Sequence, residues 1–172
     1  MKNKIFFTVF FLLVFAAFAS AQNKSLYSSL ETAKCKTIES NPEEGGSYLG
    51  ECVGFGGYKL QVAEGDIRQT INVIAPSRKI FELNFWRLNS GFSTVGPKAE
   101  WRTKKGVPIA LIVRFNVANA EDSSKNTSYL MVAKISKTGA CVTDIVEPGK
   151  TQNIEARKLA DTASARPCKS SE

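Results

Sequence analysis

Residues 108–117, PIALIVRFNV, put apolar side chains on both faces of any strand they form. Ile109, Leu111, Val113 and Phe115 fall on one side, Ala110 and Ile112 on the other. A strand apolar on both faces belongs in the middle of a sheet, because an edge or a solvated face would leave one row in water. The segments around it carry the matching two-residue period of half-buried strands. Tyr58, Leu60 and Val62 alternate with Lys59 and Gln61, AEGD supplies a turn, and Ile67, Ile71 and Val73 continue as the second arm of a hairpin. After the breaker APSRK, Phe81, Leu83 and Phe85 lie on one face of KIFELNFWRL. AEWRT, YLMVAKIS and ACVTDIV complete the set, the last two joined by the turn KTG.

The period changes at both ends. In NIEARKLADTASA, Ala156, Leu159, Ala160 and Ala163 recur at helical spacing, with Asn153 placed to cap the start and Pro167 to end the run. Leu26, Leu30 and Ala33 suggest a short helix before Cys35, and SNPEEGG is a loop. The expectation is an α+β domain, a mostly antiparallel sheet of about six strands with a C-terminal helix packed on one face.

Residues 1–21, MKNKIFFTVFFLLVFAAFASA, join Lys2 and Lys4 to an apolar run from Ile5 to Ala19 and the small residues Ala19-Ser20-Ala21. That order is a secretory signal peptide with cleavage after Ala21. The run is shorter than the roughly 20 residues a membrane span needs, and no later stretch is long and apolar enough. The expected product is soluble, secreted or periplasmic, with no membrane span after cleavage. Its remaining 151 residues suit one domain, in which a polar segment 22–57 with the first disulfide loop leads into the sheet and helix of 58–172. With 21 basic against 16 acidic residues left, the net charge of +5 mildly favours anionic partners.

Cys35, Cys52, Cys141 and Cys168 are an even number in a chain bound for an oxidising compartment. Four cysteines allow three pairings. The two local loops, Cys35 with Cys52 and Cys141 with Cys168, are favoured, each removing about 3 kcal/mol of unfolded-state freedom. A zinc site lacks both a CxxC pair and any histidine, so neither metal nor cofactor is expected.

The glycines of ECVGFGGYK do not make a dinucleotide loop. Gly54 and Gly56 match the pattern, but Lys59 stands at the third glycine position and a strand follows where a helix is required. They read as the sharp entry to a disulfide-anchored strand, with Phe55 a candidate exposed contact. EPGKT lacks the first glycine of a phosphate loop, Asp144 standing there, and reads as the turn into the last helix. The absence of histidine removes Ser-His-Asp and Cys-His hydrolysis. Glu64, Asp66, Glu82, Glu100 and Asp144 remain as carboxylates for glycoside cleavage, with Glu82 and Glu100 on apparent strands the leading pair. Asn23-Lys24-Ser25 and Asn126-Thr127-Ser128 fit the glycosylation acceptor pattern, which matters only in a eukaryotic secretory route.

Aromatic and basic residues meet at NFWRL and EWRTKKG. Trp86, Arg87, Trp101, Arg102, Lys104 and Lys105 suggest a surface for a sugar ring or an anionic polymer, against the alternative that the tryptophans are core. Nucleic acid is a poor partner for an exported chain of this modest charge. The succession KAEWR, PIALIVRFN, SYLMVAKI, ACVTDIV and N..AR.LAD…C resembles a family of small exported bacterial proteins without an assigned function. The resemblance runs from Cys35 to Cys168 and implies placement in the envelope or medium, with no catalytic residues to carry over. The expected function is a non-enzymatic binding or inhibitory module, its partner an envelope protein or an anionic polysaccharide. A carboxylate-dependent hydrolase of envelope polysaccharide and a structural or assembly component are the alternatives.

Overall fold

A computed structural model describes residues 23–43 and 46–169; the signal peptide expected over residues 1–21 lies outside them. Ten strands run in chain order: β1 (Lys24–Ser29), β2 (Lys36–Asn41), β3 (Ser47–Val53), β4 (Lys59–Gly65), β5 (Arg68–Ile74), β6 (Ile80–Glu82), β7 (Ser93–Lys104), β8 (Val107–Ala118), β9 (Asn126–Ile135) and β10 (Ala140–Val146). Helix α1 (Phe85–Leu88) precedes β7, and α2 (Gln152–Asp161) follows β10.

The strands hydrogen-bond in the order β10-β9-β8-β7-β5-β4-β3-β2, with β1 added to β7 and β6 to β5. All pairs are antiparallel except β5 with β7, which meet in parallel at Arg68 and Ser93. At that junction the sheet folds over on itself. The half β2–β6 then faces the half made of β1 and β7–β10, bringing β10 against β6 and β1 against β3.

The core fills the space between the halves. Leu60, Val62, Ile71 and Val73 point inward from one side, and Trp101, Leu111, Val113, Phe115 and Met131 from the other. Phe85 of α1 meets Phe115 edge-on with ring centroids 5.3 Å apart. PIALIVRFNV forms β8, flanked by β7 and β9, and its second row has a use of its own. Ala110 and Ile112, with Leu130, Val132 and Val146, make a smaller apolar cluster under Ala156, Ala160 and Ala163. The alanine stripe lets α2 lie flat on the outside of the second half.

This corrects the expected class. Strands take 53% of the described residues against 14% helix, and ten strands in a mixed sheet replace about six antiparallel ones. The extra strands come chiefly from the polar N-terminal segment. Residues 24–29 pair with Thr103 to Lys98 as β1 and are not helical. Their stability comes from a partner over seventy residues away, which periodicity within the segment does not report. Ser28, for instance, accepts the Trp101 indole N–H at 3.0 Å. β2 has all six residues exposed, so no alternation marks it. The strand expected over Phe81–Phe85 stops at Glu82, and Phe85 opens the short helix α1.

Both favoured disulfides form, Cys35–Cys52 and Cys141–Cys168. The first is buried beside the β3–β4 connection; the second ties the tail to β10, where the Lys169 amide also donates to the Val142 carbonyl at 2.8 Å. The Gly54–Gly57 stretch is that β3–β4 connection. Gly56 and Gly57 adopt φ of 63° and 83°, and a Cβ at Gly54 would stand 2.3 Å from the Tyr58 carbonyl oxygen.

Candidate functional site

The two outer faces of the folded sheet differ. α2 covers the outside of β8 and β9, while the outside of β3–β6 has no covering element among the described residues. Register shows which side chains share that open face. Leu60, Val62, Ile71 and Val73 point into the core, so the alternate positions of β4 and β5 point out. Directly opposed on it are Lys59 and Ile74, Gln61 and Asn72, and Ala63 and Thr70. β3 adds Val53, Glu51 and Leu49 to these rows, and β6 adds Ile80 and Glu82.

The middle row is therefore Glu51, Gln61, Asn72 and Glu82, two amides between two carboxylates. Asn72 Nδ2 donates to Gln61 Oε1 at 3.4 Å. Gln61 is only 8% exposed although it points outward, so the face is hollow there. Two grooves lie on the strands, one toward each end. One of about 510 Å³ is lined by Glu51, Lys59, Gln61, Ile74, Arg78 and Ile80. The other, about 420 Å³, is lined by Ala63, Glu64, Asp66, Arg68, Thr70 and Trp86. Outward positions six residues apart on β4 give the pair a length of roughly 20 Å. Trp86 is 39% exposed, and Arg87 lies over its ring, 5.2 Å from the centroid.

On the covered side the polar residues are used up in holding α2. Arg157 donates to both oxygens of Glu100, at 2.7 and 3.0 Å, and Ser25 also donates to Glu100. Arg102 grips Asp161 through two bonds of 2.8 and 2.9 Å, and Arg166 forks onto Asp144. Burial raises the Glu100 pKa, but the Arg157 and Ser25 hydrogen bonds and the nearby guanidinium charges outweigh it and hold the carboxyl below the ordinary range. For Asp161 burial is likewise overcome, here by Arg102 and Asn23. These paired ions fasten the helix and β1 to the sheet.

The residues singled out in the sequence accordingly scatter. Trp86 and Arg87 stand on α1 at the end of the open face. Trp101 is fully buried, its ring tilted 44° to that of Tyr58 at 6.1 Å, and presents nothing to a ligand. Arg102 is buried beneath α2. Lys104 and Lys105 are exposed at the β7–β8 turn, at the far end from Trp86. Phe55 is partly buried, packed against the core. Glu82 and Glu100 lie on opposite outer faces with the core between them, so they do not meet as an acid and base. Asp144 is engaged by Arg166, Glu64 accepts from Gln69, and Asp66 pairs with Arg68. Among the described residues no group of ligating side chains is arranged to hold a metal ion.

Gln61, Asn72, Thr70 and Glu51 did not stand out in the sequence. Their one signal was that they occupy the outward positions of strands whose inward positions are apolar. Comparison with protein-family models, curated proteins and solved structures finds no match to this chain.

Proposed function

We propose that the protein is an exported, non-enzymatic binding module that takes a linear polysaccharide along the open face of β3–β6. The observation that carries this reading is the polar row Glu51, Gln61, Asn72 and Glu82, left uncovered while α2 caps the opposite face, with Glu51 and Gln61 lining a groove. Amides and carboxylates side by side offer donors and acceptors to sugar hydroxyls, as concave sites need. Trp86 at the groove end supplies an amphipathic ring for stacking. Export is supported by the N-terminal signal pattern, two formed disulfides and the resemblance to small exported bacterial proteins. No helix among the described residues is long and apolar enough to cross a membrane.

The two tryptophans make the test direct, since Trp101 is buried and Trp86 is exposed. Emission of the oxidised mature protein is followed during titration with a linear β-glucan and with polygalacturonate. Binding of either, with a saturable change that Trp86→Ala abolishes and Gln61→Ala/Asn72→Ala weakens at least tenfold, is the expected result. No change with either polymer, or undiminished binding by the Gln61/Asn72 variant measured by calorimetry, overturns the proposal.

A further inference from the structure

The strand directions sort the connections into two ends, and charge sorts with them. At one end are the β3–β4, β5–β6, β7–β8 and β9–β10 turns and the start of β1. These carry Lys24, Lys59, Arg78, Lys79, Lys104, Lys105 and Lys137 and no carboxylate. The opposite end has the β4–β5 turn, the β8–β9 loop and the β10–α2 link, where Asp66, Glu121, Asp122 and Glu147 outnumber Lys125 and Lys150. All seven cations at the basic end are exposed. Lys59 is paired with Glu51; among the described residues the other six form no ion pair. Glu100 on β7 and Asp161 on α2 are neutralised by Arg157 and Arg102.

The turns of this end abut. A Cβ on Gly56 would touch the Pro108 ring at 2.9 Å, and one on Gly57 would lie 3.3 Å from Pro76. The β3–β4 connection thus sits between the β5–β6 and β7–β8 turns and joins them into one surface. Two aliphatic side chains stand among the cations, Val53 at 79% exposure and Val107 at 58%.

We propose that this end docks on an anionic lipid surface. Cations on the tips of separate turns present a broad end to a plane, whereas a linear polymer would meet only those lying along one track. Exposed aliphatic residues among lysines add the apolar contact that an interface rewards. The contrasting charge of the two ends orients the molecule as it approaches, within the reach that salt screening leaves. Lys59 and Arg78 also line the first groove of the open face, but Lys104 and Lys105 line neither groove, so a test on those two lysines does not depend on the polysaccharide reading.

The oxidised mature protein is co-sedimented with vesicles of phosphatidylcholine, with and without phosphatidylglycerol, over a series of salt concentrations. Binding only to the anionic vesicles, weakening with salt, is expected. Lys104→Gln/Lys105→Asn removes two charges and suits the left-handed conformation at Lys105, where φ is 52°. It should weaken binding about twenty-five-fold, about fivefold per lysine. Lys125→Gln/Lys150→Gln removes the same charge from the opposite end and should retain most of the parent's affinity. Equal losses in the two variants, equal binding to neutral vesicles, or no binding at low salt overturns the proposal. So does polygalacturonate capturing the protein through Lys104 and Lys105 while the anionic vesicles do not.

Discussion

Replacing Glu100 by glutamine tests whether α2 and β1 are held by the ion network as the geometry implies. The Glu100 side chain is 11% exposed and takes two charge-assisted bonds from Arg157, whose own side chain is 39% exposed. Breaking a fully buried pair costs about 3–5 kcal/mol, because the orphaned charge stays out of water. Here Arg157 can turn to solvent, while Arg102 keeps Asp161, so a smaller loss of about 2–3 kcal/mol is expected, near that of one or two bonds to a charged group. For a domain of this size that lowers Tm by roughly 4–12 °C. The sign with pH follows from the lowered carboxyl pKa. Its contribution is present above the unfolded value and lost as pH falls through the depressed folded value. Glu100→Gln has no such group to titrate, so the stability gap should close on acidification below the ordinary glutamate value of 4.5. Urea unfolding at neutral and acid pH, followed by circular dichroism, measures both quantities. A neutral-pH loss under about 0.5 kcal/mol, the scale of an exposed pair, or a gap that persists unchanged at low pH, refutes the reasoning.

Two further outcomes are expected. Gly54→Ala should destabilise by about 2–3 kcal/mol, because its Cβ would run into the Tyr58 carbonyl, while Gly139→Ala, with nothing within 4 Å, should stay within about 0.5 kcal/mol in the same unfolding assay. Under graded reductant, alkylation and mass spectrometry should find Cys141–Cys168 opened first, since Cys168 is exposed while Cys35 and Cys52 are 9% and 1% exposed. Simultaneous loss of both bonds would show that global unfolding, and not local access, governs reduction.

Much of the sheet was legible because burial leaves its period in the chain. The β4–β5 hairpin, β8, β9, β10 and α2 all carry apolar residues at two- or 3.6-residue spacing, and each forms about where that spacing puts it. The local cysteine loops were legible too, since short separations favour closure. β1 and β2 were not, because β1 is defined by its pairing with β7 and β2 shows no buried side at all.

The aromatic and basic cluster shows the same limit at the level of the site. Sequence placed Trp86 and Trp101 in similar company, each followed by an arginine, and nothing local separates them. Tertiary structure does: Trp101 points between the sheet halves, whereas Trp86 stands on a four-residue helix at the rim of the open face. Gln61 and Asn72 became neighbours only through the register of two strands. By itself the chain determined which segments bury a face and which chemistry is missing, histidine above all, since those depend on residue identity and local spacing. Which outward side chains gather on one face, and which face α2 covers, was decided by long-range strand pairing, whose partners lie too far apart in sequence for any local pattern to encode.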